Sequence, residues 1–140
     1  MATLTTITPG VVSAAPTFTA VTAADKFLAG GPGGSGGWRI HYRNGATVGT
    51  GSLFVQNFST VTAPVGFTGA VPPGAATPAI PTGAVHWDDD LVVTNMAATS
   101  DRVVFIPASL IAQFVDSLGF VNLVHNGTIT TITVSVEGPY

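Results

Sequence analysis

The sequence contains no cysteine, which excludes a disulfide framework, a zinc-thiolate centre and a thiol nucleophile while leaving the redox compartment open. Charge is the next scarcity. Asp, Glu, Lys and Arg make up 8% of the 140 residues, against about 25% in an ordinary soluble domain. The four basic residues, Lys26, Arg39, Arg43 and Arg102, with a net charge of -3, are too few to neutralise the phosphates of a duplex, so nucleic acid is not an expected partner. No apolar run approaches the roughly 18 residues that span a bilayer. The start, "MATLTTITPG", has neither the charged lead nor the apolar centre of a signal peptide. The expectation is a chain with no membrane partner, made and held in the cytoplasm until it is assembled.

What is present is apolar: 46% hydrophobic residues and a mean hydropathy of +0.49. With so few charges a free monomer is poorly protected against association, and much of the surface is expected to be covered by partners. The length fits a single domain over 1–140, burying roughly two thirds of its unfolded surface.

Strand signals dominate. "TLTTIT", "WRIHYRN", "SLFVQN", "LVVTN", "RVVFI" and "TITTITVSV" follow a largely period-two pattern, carry much Thr and Val, and are bounded by Gly, Pro or Asn. Alternation places Trp38, Ile40 and Tyr42 in the core with Arg39, His41 and Arg43 outward, and gathers Ile132, Val134 and Val136 on one face. Asn44-Gly45 and Asn126-Gly127 each separate two strand-like runs and predict two-residue hairpins, because both residue types tolerate positive φ. In "PASLIAQFVDSLG", Leu110, Ile111, Phe114, Val115 and Leu118 recur at helical spacing between Pro107 and Gly119. This predicts one short helix of about three turns over 108–118, the alternative being an irregular connection with the same residues inward. The fold class predicted is mainly β: a single-domain antiparallel β-sandwich or jelly-roll-like barrel with extended arms and at most that one helix.

Residues 62–84 hold five of the ten prolines and no charge. A stretch of that length without a period reads as an extended arm, and Val65, Phe67, Val71 and Ile80 are apolar enough to lie on a neighbouring surface. Residues 1–20 have a similar polarity and read as a second arm or an edge strand.

Two enzyme-like patterns occur in "AGGPGGSGGWRIHYRNG": G-x-G-x-x-G at Gly31, Gly33 and Gly36, and G-x-S-x-G centred on Ser35. A dinucleotide site needs a buried strand before the glycines, a helix after them and an acidic residue about 20 positions on. Here "ADKFLAG" precedes, strand alternation follows and residues 50–60 contain no carboxylate. The order Ser35, Asp88, His125 matches that of a hydrolase triad, but glycines on both sides of Ser35 make a flexible loop rather than a strained elbow. Six glycines in nine residues generate both patterns by density alone. No catalytic residue and no cofactor is expected.

In "VHWDDDL", His86, Asp88 and Asp90 form a weak candidate for calcium or magnesium, without EF-hand spacing; the competing reading is an acidic turn into the next strand. Arg39, His41 and Arg43 carry half of the Lys and Arg residues and point to a contact with an acidic partner surface, against plain solvation of an exposed face. His125 reads as a residue flanking a turn. A carbohydrate-binding sandwich remains as another reading, with Trp38, Tyr42 and Trp87 as sugar platforms near Asp88 and Asp90.

The order of "TFTAVTAADKFLAGG", "WRIHYRNG", "GSLFVQN", "RVVFIPASL" and "FVNLVHNGTITTITVSV" resembles the decoration, or cement, proteins of tailed bacteriophages, loosely and over most of the chain. The arm over 62–84 and the helix over 108–118 depart from the shortest members. The resemblance implies a β-sandwich on the outside of a virion capsid, often a trimer at threefold positions, that ties major capsid protein subunits together. Arg39, His41, Arg43, Phe67, Val71 and Ile80 are the expected contacts. A neck, tail or fibre-associated β-domain would share the composition.

Overall fold

Alternating burial organises the computed structural model, which describes residues 2–8, 16–31, 33–57 and 91–140. In chain order the strands are β1 (Ala2–Thr3), β2 (Thr6–Ile7), β3 (Thr19–Ala20), β4 (Ala24–Leu28), β5 (Trp38–Asn44), β6 (Ser52–Val55), β7 (Leu91–Thr94) and β8 (Asp101–Ile106). One turn of helix, α1 (Ile111–Phe114), then precedes β9 (Phe120–His125) and β10 (Ile132–Glu137). Five strands form sheet A in the order β1-β4-β9-β6-β7, and sheet B runs β2-β10-β5-β8 with β3 also on β10. The pairings are antiparallel except β1 on β4 and β2 on β10. The molecule is a mainly β sandwich, as the alternation predicts, but both sheets are mixed rather than purely antiparallel, because β1 and β2 join their neighbours in parallel. Among the described residues no helix is long and apolar enough to cross a membrane.

The core lies between the sheets. Phe27, Val55, Val121 and Leu123 come from sheet A and Ile40, Tyr42 and Ile106 from sheet B, all fully buried. Burying such side chains supplies on the order of 1.5–3 kcal/mol each. Trp38, Ile40 and Tyr42 point inward while Arg39 and Arg43 are exposed and His41 is half-buried, and Ile132, Val134 and Val136 are buried together. Of the N-terminal residues described, β1 extends sheet A, β2 extends sheet B, and Leu4 between them is buried.

The two Asn-Gly steps are not hairpins. β5 belongs to sheet B and β6 to sheet A, and β9 and β10 are divided in the same way, so each step turns a corner between sheets. Of the four residues only Gly127 has positive φ, whereas the favoured two-residue turn needs it twice. The asparagines act through their side chains. Asn44 Nδ2 donates to the carbonyls of Thr47, Met96 and Ala97, and its Oδ1 accepts from Thr131 Oγ1 at 2.7 Å. Asn126 Oδ1 accepts from the Ser52 N–H at 2.7 Å. A corner leaves backbone groups without ladder partners, and these amides supply them.

The helix is one turn rather than three. Ile111, Phe114 and Val115 are buried, as their spacing predicts, but Leu110 and Leu118 are exposed. Asp116 ends the segment. Its Oδ1 accepts the N–H groups of Leu118 and Phe120 and its Oδ2 accepts from Asn122, an Asx turn that feeds the chain into β9 instead of extending the helix.

β6 and β7 are antiparallel neighbours with Val55 opposite Leu91, so the described strand ends on either side of residues 58–90 lie together. The arm over 62–84, with Phe67, Val71 and Ile80, and the cation candidate of His86, Asp88 and Asp90 lie outside the described residues.

Candidate functional site

The predicted basic stripe occupies the middle strand of the outer face of sheet B. Register arranges this face in rows across β10, β5 and β8: Thr133, Arg43 and Asp101; Ser135, His41 and Val103; Glu137, Arg39 and Phe105. The stripe finds its carboxylates within the chain. Arg43 Nε donates to Asp101 Oδ1 at 3.1 Å, His41 Nε2 lies 3.6 Å from Asp101 Oδ2, and Arg39 lies 3.8 Å from Glu137. Tyr140 Oη donates to the same Glu137 carboxylate at 2.7 Å, and that bond raises the phenol above its ordinary pKa. Phe18 stacks over the Arg43 guanidinium at 4.2 Å and meets the His41 ring edge-on at 5.0 Å.

Mutual pairing leaves an electrically balanced face. Exposed ion pairs of this kind contribute about 0–1 kcal/mol each, so their effect is to neutralise rather than to stabilise. The exposed residues beside them are apolar: Val103 (46% exposed), Phe105 (53%) and Tyr140 (54%), the last two with rings 6.2 Å apart. His41 Nε2 and Ser135 Oγ are buried on this face without a hydrogen-bond partner among the described residues.

A second polar cluster lies between the sheets, at positions the sequence reading leaves in the core or at a turn. His125 of β9 and Asp25 of β4 have fully buried side chains, 3.5 Å apart. His125 Nδ1 is 2.6 Å from the Thr22 carbonyl oxygen, which can only accept, so the proton resides on Nδ1. Nε2 then accepts from the Tyr42 hydroxyl at 3.4 Å. Asp25 accepts from the Thr22 N–H at 2.8 Å, from the Thr22 hydroxyl in a short bond, and from the Ala2 N–H at 3.3 Å. Burial holds the His125 imidazole below its ordinary pKa, outweighing the Thr22 carbonyl and the Asp25 charge, which favour imidazolium. Burial also pushes the Tyr42 phenol far up, and the Asp25 charge adds to it.

A signal for this cluster was available in the alternation. His125 continues the inward set Val121 and Leu123, and Asp25 begins the inward set Phe27 and Ala29. Because both side chains are closed off, the cluster joins sheet to sheet and ties down the N-terminal edge strand.

The hydrolase-like order does not correspond to a site. Ser35 lies where β5 begins, its carbonyl accepting from the Trp38 indole, whereas His125 adjoins Tyr42, about 13 Å further along the strand. A strand, β4, does precede the glycines, contrary to the reading of "ADKFLAG", but β5 rather than a helix follows them, so the dinucleotide context still fails. Trp38 and Tyr42 are buried, which removes them as sugar platforms, and Trp87 lies outside the described residues; among the described residues the exposed aromatics beside sheet B are Phe105 and Tyr140. Compared with protein-family models, curated proteins and solved structures, the chain has no significant match.

Proposed function

We propose that this chain is a structural virion protein that decorates the outer surface of a tailed-bacteriophage capsid, held between major capsid protein subunits and working by contact area rather than by chemistry. The observation that carries the reading is the outer face of sheet B. Its charges cancel one another within the chain and leave Val103, Phe105 and Tyr140 exposed on a β-face. A surface of that kind suits a protein neighbour better than water. The sealed His125–Asp25–Tyr42 cluster supports the same reading, since its polar groups are consumed in holding the sheets together. A decoration subunit that buries on the order of 1,000 Å² or more is stably held, and repetition over a shell adds avidity.

The test is co-sedimentation of the purified chain with expanded empty capsids of its phage, counting copies per shell. Saturable binding at many copies per shell is expected. Deleting residues 64–82 is expected to lower occupancy at least about tenfold while leaving the β-domain folded, because the flanking residues Val55 and Leu91 already pair across the sheet. Absence of binding to expanded shells contradicts the reading, and undiminished occupancy of the deletion variant removes the arm from it.

A further inference from the structure

β8 stands at the border of sheet B and has no strand on its outer side among the described residues. Its backbone phase is fixed by its neighbour. The Asn44 N–H donates to the Ser100 carbonyl, directly opposite in the register that pairs Arg43 with Asp101. Antiparallel ladders alternate, so Arg102, Val104 and Ile106 bond toward β5 while Asp101, Val103 and Phe105 turn their N–H and C=O groups outward. The Asp101 carbonyl takes a hydrogen bond from its neighbour's Arg102 guanidinium at 2.9 Å. Val103 and Phe105 present theirs beside exposed apolar side chains.

Natural edge strands are guarded by lysine, proline, a bulge or an inward charge. β8, "DRVVFI", has no lysine or proline and keeps an unbroken register along all six residues. Its two charges sit together at one end, and the acidic one is already neutralised by Arg43 at 3.1 Å.

We propose that this edge pairs with the same edge of a second copy of the chain, antiparallel and centred on Val103, to make a twofold dimer with one continuous sheet. Three outward positions symmetric about Val103 make the edge self-complementary. Val103 meets Val103 of the second copy on the axis, and Asp101 and Phe105 each lie opposite the other. Both residues of a directly opposed outward pair exchange N–H···O bonds, so all three positions are satisfied together. No like charges stand directly opposite, since Arg102 falls across from Val104 of the second copy. Val103, Phe105 and Tyr140 then form one apolar stripe crossing the axis. This inference concerns contact between copies and stands whether or not the chain binds a shell.

Sedimentation of the full chain over a concentration series is the test, with amide exchange read at residues 101, 103 and 105. The expected species has twice the 14.1 kDa chain mass, and the three amides gain protection as it forms. Val103→Lys, which sets two ammonium groups face to face, is expected to weaken the dimer about a hundredfold or more, whereas Val103→Thr, nearly the same shape, keeps it. Should the lysine variant not fold, the wild-type exchange data decide alone. A monomer at all concentrations, with these amides open or covered by another segment of the same chain, overturns the proposal. So does a trimer, which cannot be built on an isologous edge, or a dimer indifferent to the lysine.

Discussion

Gly119→Ala is expected to lower stability by about 3–5 kcal/mol, while the same change at Gly33 costs only about 1–2 kcal/mol. Both glycines have positive φ, +85° and +83°, so the backbone penalty is shared. The surroundings differ. A Cβ at Gly119 would overlap the carbonyl carbon and oxygen of Gly31, whereas a Cβ at Gly33 meets nothing within 4 Å. The obstacle at Gly119 is backbone, which has no rotamer with which to move aside. The approach is held from both sides: the Ala29 N–H donates to the Gly119 carbonyl at 2.9 Å, and the Gly119 N–H donates to the Asp116 carbonyl at 3.0 Å. Urea unfolding of the two variants measures the difference directly. Equal losses would mean that the loop and the turn do not meet as described.

The inter-sheet cluster carries the second large effect. Asp25→Ala leaves the Thr22 and Ala2 N–H groups without their acceptor, while the Thr22 hydroxyl keeps the Ala24 carbonyl at 2.9 Å, a cost of about 3 kcal/mol. Its pH signature comes from His125. Because the folded state holds the imidazole below its ordinary value of 6.5, the unfolded chain takes up the proton first as pH falls. Stability is therefore full above that pH and declines below it until the folded-state value is reached, at up to about 1.4 kcal/mol per pH unit. His125→Asn keeps an amide donor for the Thr22 carbonyl and removes this titration, so its stability declines less than that of the wild type as pH falls below 6.5. Asp116 adds a separate loss at lower pH. Although burial works against it, the N–H groups of Phe120 and Leu118 and the Asn122 amide hold its carboxyl below the ordinary range. A wild-type protein that gains stability on mild acidification would contradict the neutral, Nδ1-protonated imidazole and indicate a buried imidazolium–carboxylate pair instead.

Period-two patterning makes much of this legible in the sequence alone. The inward set of Trp38, Ile40 and Tyr42 and the outward Arg39 and Arg43 follow from alternation alone, because a one-residue slip would exchange core for solvent. Connectivity was less legible. Asn-Gly between two strand-like runs has the same local appearance whether the strands pair or part, and the choice is made by distant carbonyls such as those of Met96 and Ala97. β4 is hard to read from the sequence because Asp25 and Lys26 interrupt its apolar run. Asp25 is tolerated in the core only through donors from Thr22 and Ala2, which its own sequence does not announce. The outer-face pairing depends on Asp101 and Glu137, about 60 and 100 residues from the stripe, a distance over which only sheet register brings charges together.

The glycine-rich stretch ends as a packing device. Its pattern resembles a phosphate loop, yet Gly31 faces Gly119 and the chain runs directly into a strand.

The proposed role on a capsid surface is tested by imaging intact virions at a resolution that locates this chain. The expected result is many regularly spaced copies on the outer shell, seated between major capsid protein subunits. Confinement to the neck, tail or fibres, or absence from the particle, would contradict it.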